Sequence, residues 1–68
     1  MDSKFIGQNI LKYRKVKGWS QDAVAKRADI PFTTLTKIEN GTTKNPSIDT
    51  LISIAKALNI KVDDLLKK

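Results

Sequence analysis

Cysteine and histidine are both missing from this 68-residue chain. Without thiols there is neither a disulfide framework nor a thiolate metal site. Without imidazole the commonest acid-base catalyst and the commonest metal ligand are gone. An enzyme here would rest on carboxylates, lysines or hydroxyls alone, and no cofactor or metal is expected. Long apolar runs are lacking too. The best apolar segment, Leu51-Ile52-Ser53-Ile54-Ala55, is far too short to span a bilayer. Met1-Asp2-Ser3-Lys4-Phe5 leads into no apolar stretch of signal-peptide length, so a cytoplasmic protein is expected. Without a secretory signal, the Asn40-Gly41-Thr42 sequon reads as a turn. With no linker, low-complexity segment or internal repeat, the chain reads as a single domain, residues 1–68. A folded chain of this size buries only about 60% of its unfolded surface, leaving little room for an enclosed active site.

Acidic residues are scarce relative to basic ones: 13 Lys and Arg stand against 7 Asp and Glu, a net charge of +6. Residues 1–47 hold nine basic and four acidic residues, a net of +5, whereas residues 48–68 hold four and three, a net of +1. A polyanion would meet its footprint on the first two-thirds of the chain. Charge alone fits a solubility surface equally well.

What is present is helical periodicity. A first helix is expected from Ser3 to about Lys17, with Phe5, Ile6, Ile10, Tyr13 and Val16 within roughly 140° of arc at about 100° per residue. Gln8, Asn9, Lys12 and Lys15 are placed elsewhere, and Leu11 falls outside the stripe. Gly18 reads as a left-handed cap. Ser20 is a natural N-cap for a second helix, Gln21 to Ala28, whose inner side is Val24, Ala25 and Ala28. Trp19 precedes the cap as a hydrophobic staple. Asp29-Ile30 is a turn. A third helix starts at Pro31 or Phe32, with Pro31 at a first-turn position, and runs to Asn40 before Gly41. After a loop rich in breakers, Ser47 caps a fourth helix, Ile48 to Leu58, with a stripe of Ile48, Leu51, Ile52, Ile54, Ala55 and Leu58 and a left-handed stop at Asn59. Val62 to Leu66 forms a short fifth helix. Five helices and no strand pattern predict a compact all-α domain.

On a wheel with Phe32 at zero, Thr36, Asn40, Thr33 and Lys37 follow at roughly 40, 80, 100 and 140°, and Ile38, Leu35 and Glu39 lie at roughly 240, 300 and 340°. One side is core. The other suits base edges: Lys donates to guanine, Thr donates, accepts or offers its methyl, and Phe touches a thymine methyl. An ordinary amphipathic helix with a solvated polar face fits the same wheel. Near its ends lie Gln21 and the N–H groups opening the second helix, with Asn40, Thr42, Thr43 and Lys44 in and before the loop, a plausible phosphate-contact set.

The order Ile6-Gly7, Ile10, Tyr13-Arg14, Lys17-Gly18-Trp19-Ser20-Gln21, Val24-Ala25, Ile30, Thr34-Leu35, Ile38-Glu39-Asn40-Gly41, Pro46-Ser47, Leu51, Ile54-Ala55, Leu58 and Leu65 resembles the Cro/C1-type (Xre-family) helix-turn-helix domain. The resemblance covers about residues 6–66. It implies a five-helix, lambda-repressor-like fold with helices two and three as the reading motif. It also implies base contacts from Pro31, Phe32, Thr33, Thr36 and Lys37, and phosphate contacts from Ser20, Gln21, Thr34, Asn40, Thr42, Thr43 and Lys44. Arg14 and Glu39 match positions that form a partly buried ion pair in similar proteins. The wheel agrees, because an unpaired Glu39 beside the core would be costly. Three departures stand out. Asp29 occupies a turn position often filled by glycine, Pro31-Phe32 replace polar residues, and Lys61 replaces a capping Ser or Thr, so the fifth helix should be weakly capped.

The function this implies is a sequence-specific regulator of transcription, a repressor, that binds double-stranded DNA without catalysis. One reading helix covers few base pairs, so a homodimer on a two-fold symmetric site is expected, with Ile48, Ile60, Leu65 and Leu66 as candidate interface residues. An antitoxin-like protein-interaction module, docking through Leu11, Phe32 and the C-terminal leucines, is the alternative. Catalysis finds little support: Asp63-Asp64 is the only close acidic pair, and adjacent helical residues diverge by about 100°.

Overall fold

The structure, a computed structural model, describes residues 5–67. Among these, five helices follow one another: α1 (Ile6–Lys17), α2 (Gln21–Ala28), α3 (Phe32–Glu39), α4 (Ile48–Leu58) and α5 (Val62–Leu66). No strand occurs among the described residues, so the all-α expectation holds. The expected start of the first helix at Ser3 lies outside the described residues.

The helix ends explain the element boundaries. α1, α2 and α4 stop by the same device, a left-handed residue at Gly18 (φ 72°), Asp29 (φ 56°) and Asn59 (φ 58°). In each, the next residue's N–H reaches back to a carbonyl five positions earlier: Trp19 to Arg14 at 3.1 Å, Ile30 to Ala25 at 3.0 Å, and Ile60 to Ala55 at 2.9 Å. This is the Schellman arrangement, which satisfies carbonyls the helix leaves open and turns an apolar residue inward. Trp19, Ile30 and Ile60 all pack against the core. Asp and Asn serve at two of the three caps because they tolerate left-handed backbone better than most residues. At the other ends, the Ser20 and Ser47 hydroxyls accept the N–H groups of Ala23 (3.1 Å) and Thr50 (3.2 Å), as N-cap residues do.

The core is Ile6 and Ile10 of α1, Val24, Ala25 and Ala28 of α2, Leu35 and Ile38 of α3, Leu51, Ile54, Ala55 and Leu58 of α4, and Leu65 of α5. α2 lies mainly on α4, and its two buried alanines, Ala25 and Ala28, are small enough for close helix packing; α1 packs on α3 and α5.

Several sequence expectations need correction. Val16 is 78% exposed, because the last turn of α1, Lys15 to Gly18, runs past the neighbouring helices into solvent. Asn9 is buried rather than peripheral. With Phe5 at zero it falls at about 40°, inside the apolar stripe, and its Nδ2 donates to the carbonyls of Leu65 (2.8 Å) and Lys67 at the end of α5. Two donors meeting two otherwise open carbonyls make burial of the amide affordable. Ile48 and Ile52 are exposed; they sit one turn apart at the edge of the α4 stripe, whose centre faces α2. Leu65 is fully buried, so as an interface residue it has no surface to offer; it closes the core, with Val62 and Leu66 of the same short helix packed partly against it. Pro31 is the N-cap of α3 (φ −61°, ψ 143°), one residue earlier than a first-turn position. Lys61 has no capping hydroxyl, yet Asp64 reaches back and accepts the Lys61 N–H at 3.0 Å. That restores half of a capping box.

Candidate nucleic-acid interface

α3 is held from behind at three places. Leu35 and Ile38 anchor it in the core. Gly7 of α1 lies against its last turn so closely that a Cβ at this position would be 2.6 Å from the Ile38 carbonyl oxygen and 2.8 Å from that of Glu39. The third hold is electrostatic. Arg14 Nε donates to Glu39 Oε2 at 3.1 Å and Arg14 Nη2 to Oε1 at 3.0 Å, while Nη1 donates to the Trp19 carbonyl at 3.1 Å. One guanidinium thereby ties α1, the α1–α2 connection and the end of α3 together. The two side chains are only 15% and 6% exposed, and a parallel fork of this kind is both strong and directional.

With its back fixed, α3 turns Pro31, Phe32, Thr33 and Lys37 to solvent, with Thr34 and Thr36 half-buried between. Phe32 is 47% exposed. The Thr36 hydroxyl donates to the Thr33 carbonyl at 3.0 Å, which uses its proton within the helix and leaves its oxygen as an acceptor. The first turn of α3 carries no acidic residue.

The flanking residues divide by element. Ser20 and Gln21 open α2, Ser20 exposed and Gln21 half-buried. Beyond α3, Asn40 Oδ1 accepts the Thr42 N–H at 2.9 Å and the Thr43 N–H reaches the Lys37 carbonyl at 3.0 Å. These bonds shape a turn through Gly41 (φ 86°), after which Lys44 stands exposed. Ile48 is exposed at the start of α4, and Ile60 and Leu66 are half-buried around α5. Trp19 lies beneath the Arg27 guanidinium, 4.0 Å from its carbon to the ring centroid, with Lys17 Nζ at 5.2 Å.

Sequence reasoning missed two contributors to this arrangement. Gly7 could have been flagged, since glycine inside a helix costs roughly 1 kcal/mol relative to alanine and usually has a packing reason. The Arg27–Trp19 stack leaves no signal at a spacing of eight residues across a cap.

Two short helices joined by a three-residue turn (29–31), the second fixed on one side and polar or aromatic on the other, define a helix-turn-helix domain. The chain belongs to the helix-turn-helix family, whose profile matches residues 10–65. It is 38% identical over 63 residues to the HTH-type transcriptional regulator SinR of Bacillus licheniformis, covering 93% of this chain and 57% of that protein. The N-terminal DNA-binding domain of SinR from Bacillus subtilis superposes with a TM-score of 0.89 at 38% identity, over 94% of this chain and 93% of that one. SinR in complex with DNA gives 0.87 at 39% identity, over 91% and 98%. The chain thus spans little more than half the length of the SinR proteins themselves. No described helix is long and apolar enough to cross a membrane.

Proposed function

We propose that this chain is a sequence-specific, double-stranded DNA-binding transcriptional regulator of the repressor kind, acting without catalysis as a homodimer on a two-fold symmetric site. The observation that carries the reading is the asymmetry of α3: Leu35 and Ile38 are buried and Glu39 is clamped by Arg14, while Phe32, Thr33 and Lys37 face outward on a chain of net charge +6. α3 lies in the major groove, with Pro31, Phe32, Thr33, Thr36 and Lys37 against base edges. Ser20, Gln21, Thr34, Asn40, Thr42, Thr43 and Lys44 meet phosphates on either side and set the register. The SinR relatives are transcriptional regulators and one SinR structure holds DNA, which supports the same role here. Dimerisation uses Ile48 with its exposed neighbour Ile52, together with Ile60 and Leu66.

Selection of bound sequences from a random duplex pool tests the reading. A palindromic site is expected, its half-sites about one helical turn or a multiple of it apart, with affinity falling steeply as salt rises. If no duplex is enriched at low salt while a protein partner is retained from lysate, the regulator reading gives way to a protein-interaction module.

A further inference from the structure

Phe32 is the one large apolar side chain on the outward side of α3, and none of the described residues covers its exposed half. Thr36 stands one turn further along the same face, and its hydroxyl proton is already committed to the Thr33 carbonyl. Pro31, before them, has neither a side-chain donor nor a backbone N–H. Along the line from Pro31 through Phe32 to Thr36 no side chain has a free proton to donate, in contrast to Thr33 beside it and Lys37 a turn later.

A major groove offers such a surface only one apolar group. Base edges there carry ring nitrogens, carbonyls and amino groups, and the C5-methyl of thymine. A phenyl ring pressed against an amino group or a carbonyl would strip its water and return no hydrogen bond, which is penalised. Pressed against the methyl it buries apolar surface on both sides. From this we infer that Phe32 is a specificity-determining residue that reads a pyrimidine C5-methyl group, carried by thymine or by 5-methylcytosine. The inference rests on the DNA-binding reading above and adds which group the leading turn of α3 selects.

The test uses the duplex recovered by selection. Each thymine is replaced singly by deoxyuridine, which removes the methyl and leaves every hydrogen-bonding group in place, and each cytosine is methylated singly at C5. Wild-type protein should lose about fourfold in affinity at one thymine per half-site, the effect of uncovering one methyl, and about fifteenfold when both half-sites are changed. A gain of similar size on methylating one cytosine, with no sensitive thymine, would assign the methyl to 5-methylcytosine instead. In either case Phe32→Ala should be insensitive at that position, and Phe32→Leu should keep part of the effect. Because Phe32 is outside the core, unchanged thermal unfolding should show that both variants remain folded. Two results overturn the inference: no position sensitive to the methyl in wild type, or equal sensitivity in wild type and Phe32→Ala. Failure to enrich any duplex is a separate outcome that removes the DNA-binding reading itself and this inference with it.

Discussion

Replacing Gly7 by alanine sets two physical effects against each other, and the structure determines the sign. Gly7 lies in the second position of α1. Helix propensity alone predicts that alanine stabilises the protein by about 0.5–1 kcal/mol. The added Cβ, however, would lie 2.6 and 2.8 Å from the carbonyl oxygens of Ile38 and Glu39, where ordinary contact begins near 3.4 Å. α1 and α3 must therefore separate by about 0.6–0.8 Å, the shortfall between those distances. Neither oxygen belongs to a flexible side chain; both are backbone in the last turn of α3. Overpacking of this kind costs about 1–3 kcal/mol, more than the propensity gain, so a net loss of about 1–2 kcal/mol is expected. In a domain of this size that lowers the melting temperature by about 5–15 °C. Urea unfolding followed by circular dichroism should show a lower midpoint with an unchanged slope. Because the displaced helix carries Phe32 and Lys37, DNA affinity should fall as well. An alanine variant as stable as wild type, or more stable, would refute the close approach of α1 to α3 as the reason for glycine here.

Four further outcomes follow from the same geometry. Arg14→Ala strands the Glu39 carboxylate and the Trp19 carbonyl, and chemical denaturation should show a loss of about 3 kcal/mol; replacing Arg14 and Glu39 together by apolar residues should recover part of it. Asp29→Gly relieves a left-handed non-glycine residue and should stabilise by up to about 1 kcal/mol, seen as a rise in melting temperature. The Lys61 N–H, and then the Lys67 ammonium, hold the Asp64 carboxyl below the usual carboxylate range, while Asp64 raises Lys67 above the usual lysine range. A carboxyl depressed in the folded state stabilises above its unfolded value and loses that contribution as pH falls below about 4. The raised lysine loses its contribution as pH climbs past about 10.5. Amide exchange in α5 should accelerate at both extremes, and Asp64→Asn should remove the acid limb. Lys37→Ala should change the preferred base at one position. Lys44→Ala should instead weaken all duplexes about equally and reduce the salt slope by about one; loss of affinity in both variants with no change of site would contradict the role given to Lys37.

The helix boundaries were legible in the sequence because they are local decisions. A left-handed Gly18, Asp29 or Asn59, and a serine hydroxyl three residues before an open N–H, act within one or two turns of chain. The two sides of α3 were legible for the same reason, since eight residues at a fixed angular step divide themselves. Periodicity does not specify how far each stripe is covered. Val16 and Ile48 share the apolar arc of their helices with Ile10 and Leu51, yet only the latter pair has another helix above it. Asn9 reads as polar and belongs inside, because two carbonyls at the end of α5 and just beyond it, more than fifty residues away, come to meet its amide. Leu65 reads as a free apolar residue at the chain's end and is the piece that closes the core. The sequence alone thus determined the five helices, the caps at Gly18, Ser20, Ser47 and Asn59, and the chemical asymmetry of α3. Tertiary packing decided which apolar residues are spent inside, how closely α1 approaches α3 at Gly7, and how the Arg14 fork fixes the back of α3 so that Phe32 is left facing out. Those outcomes depend on pairs of groups distant along the chain, whose distances exist only once the helices have met.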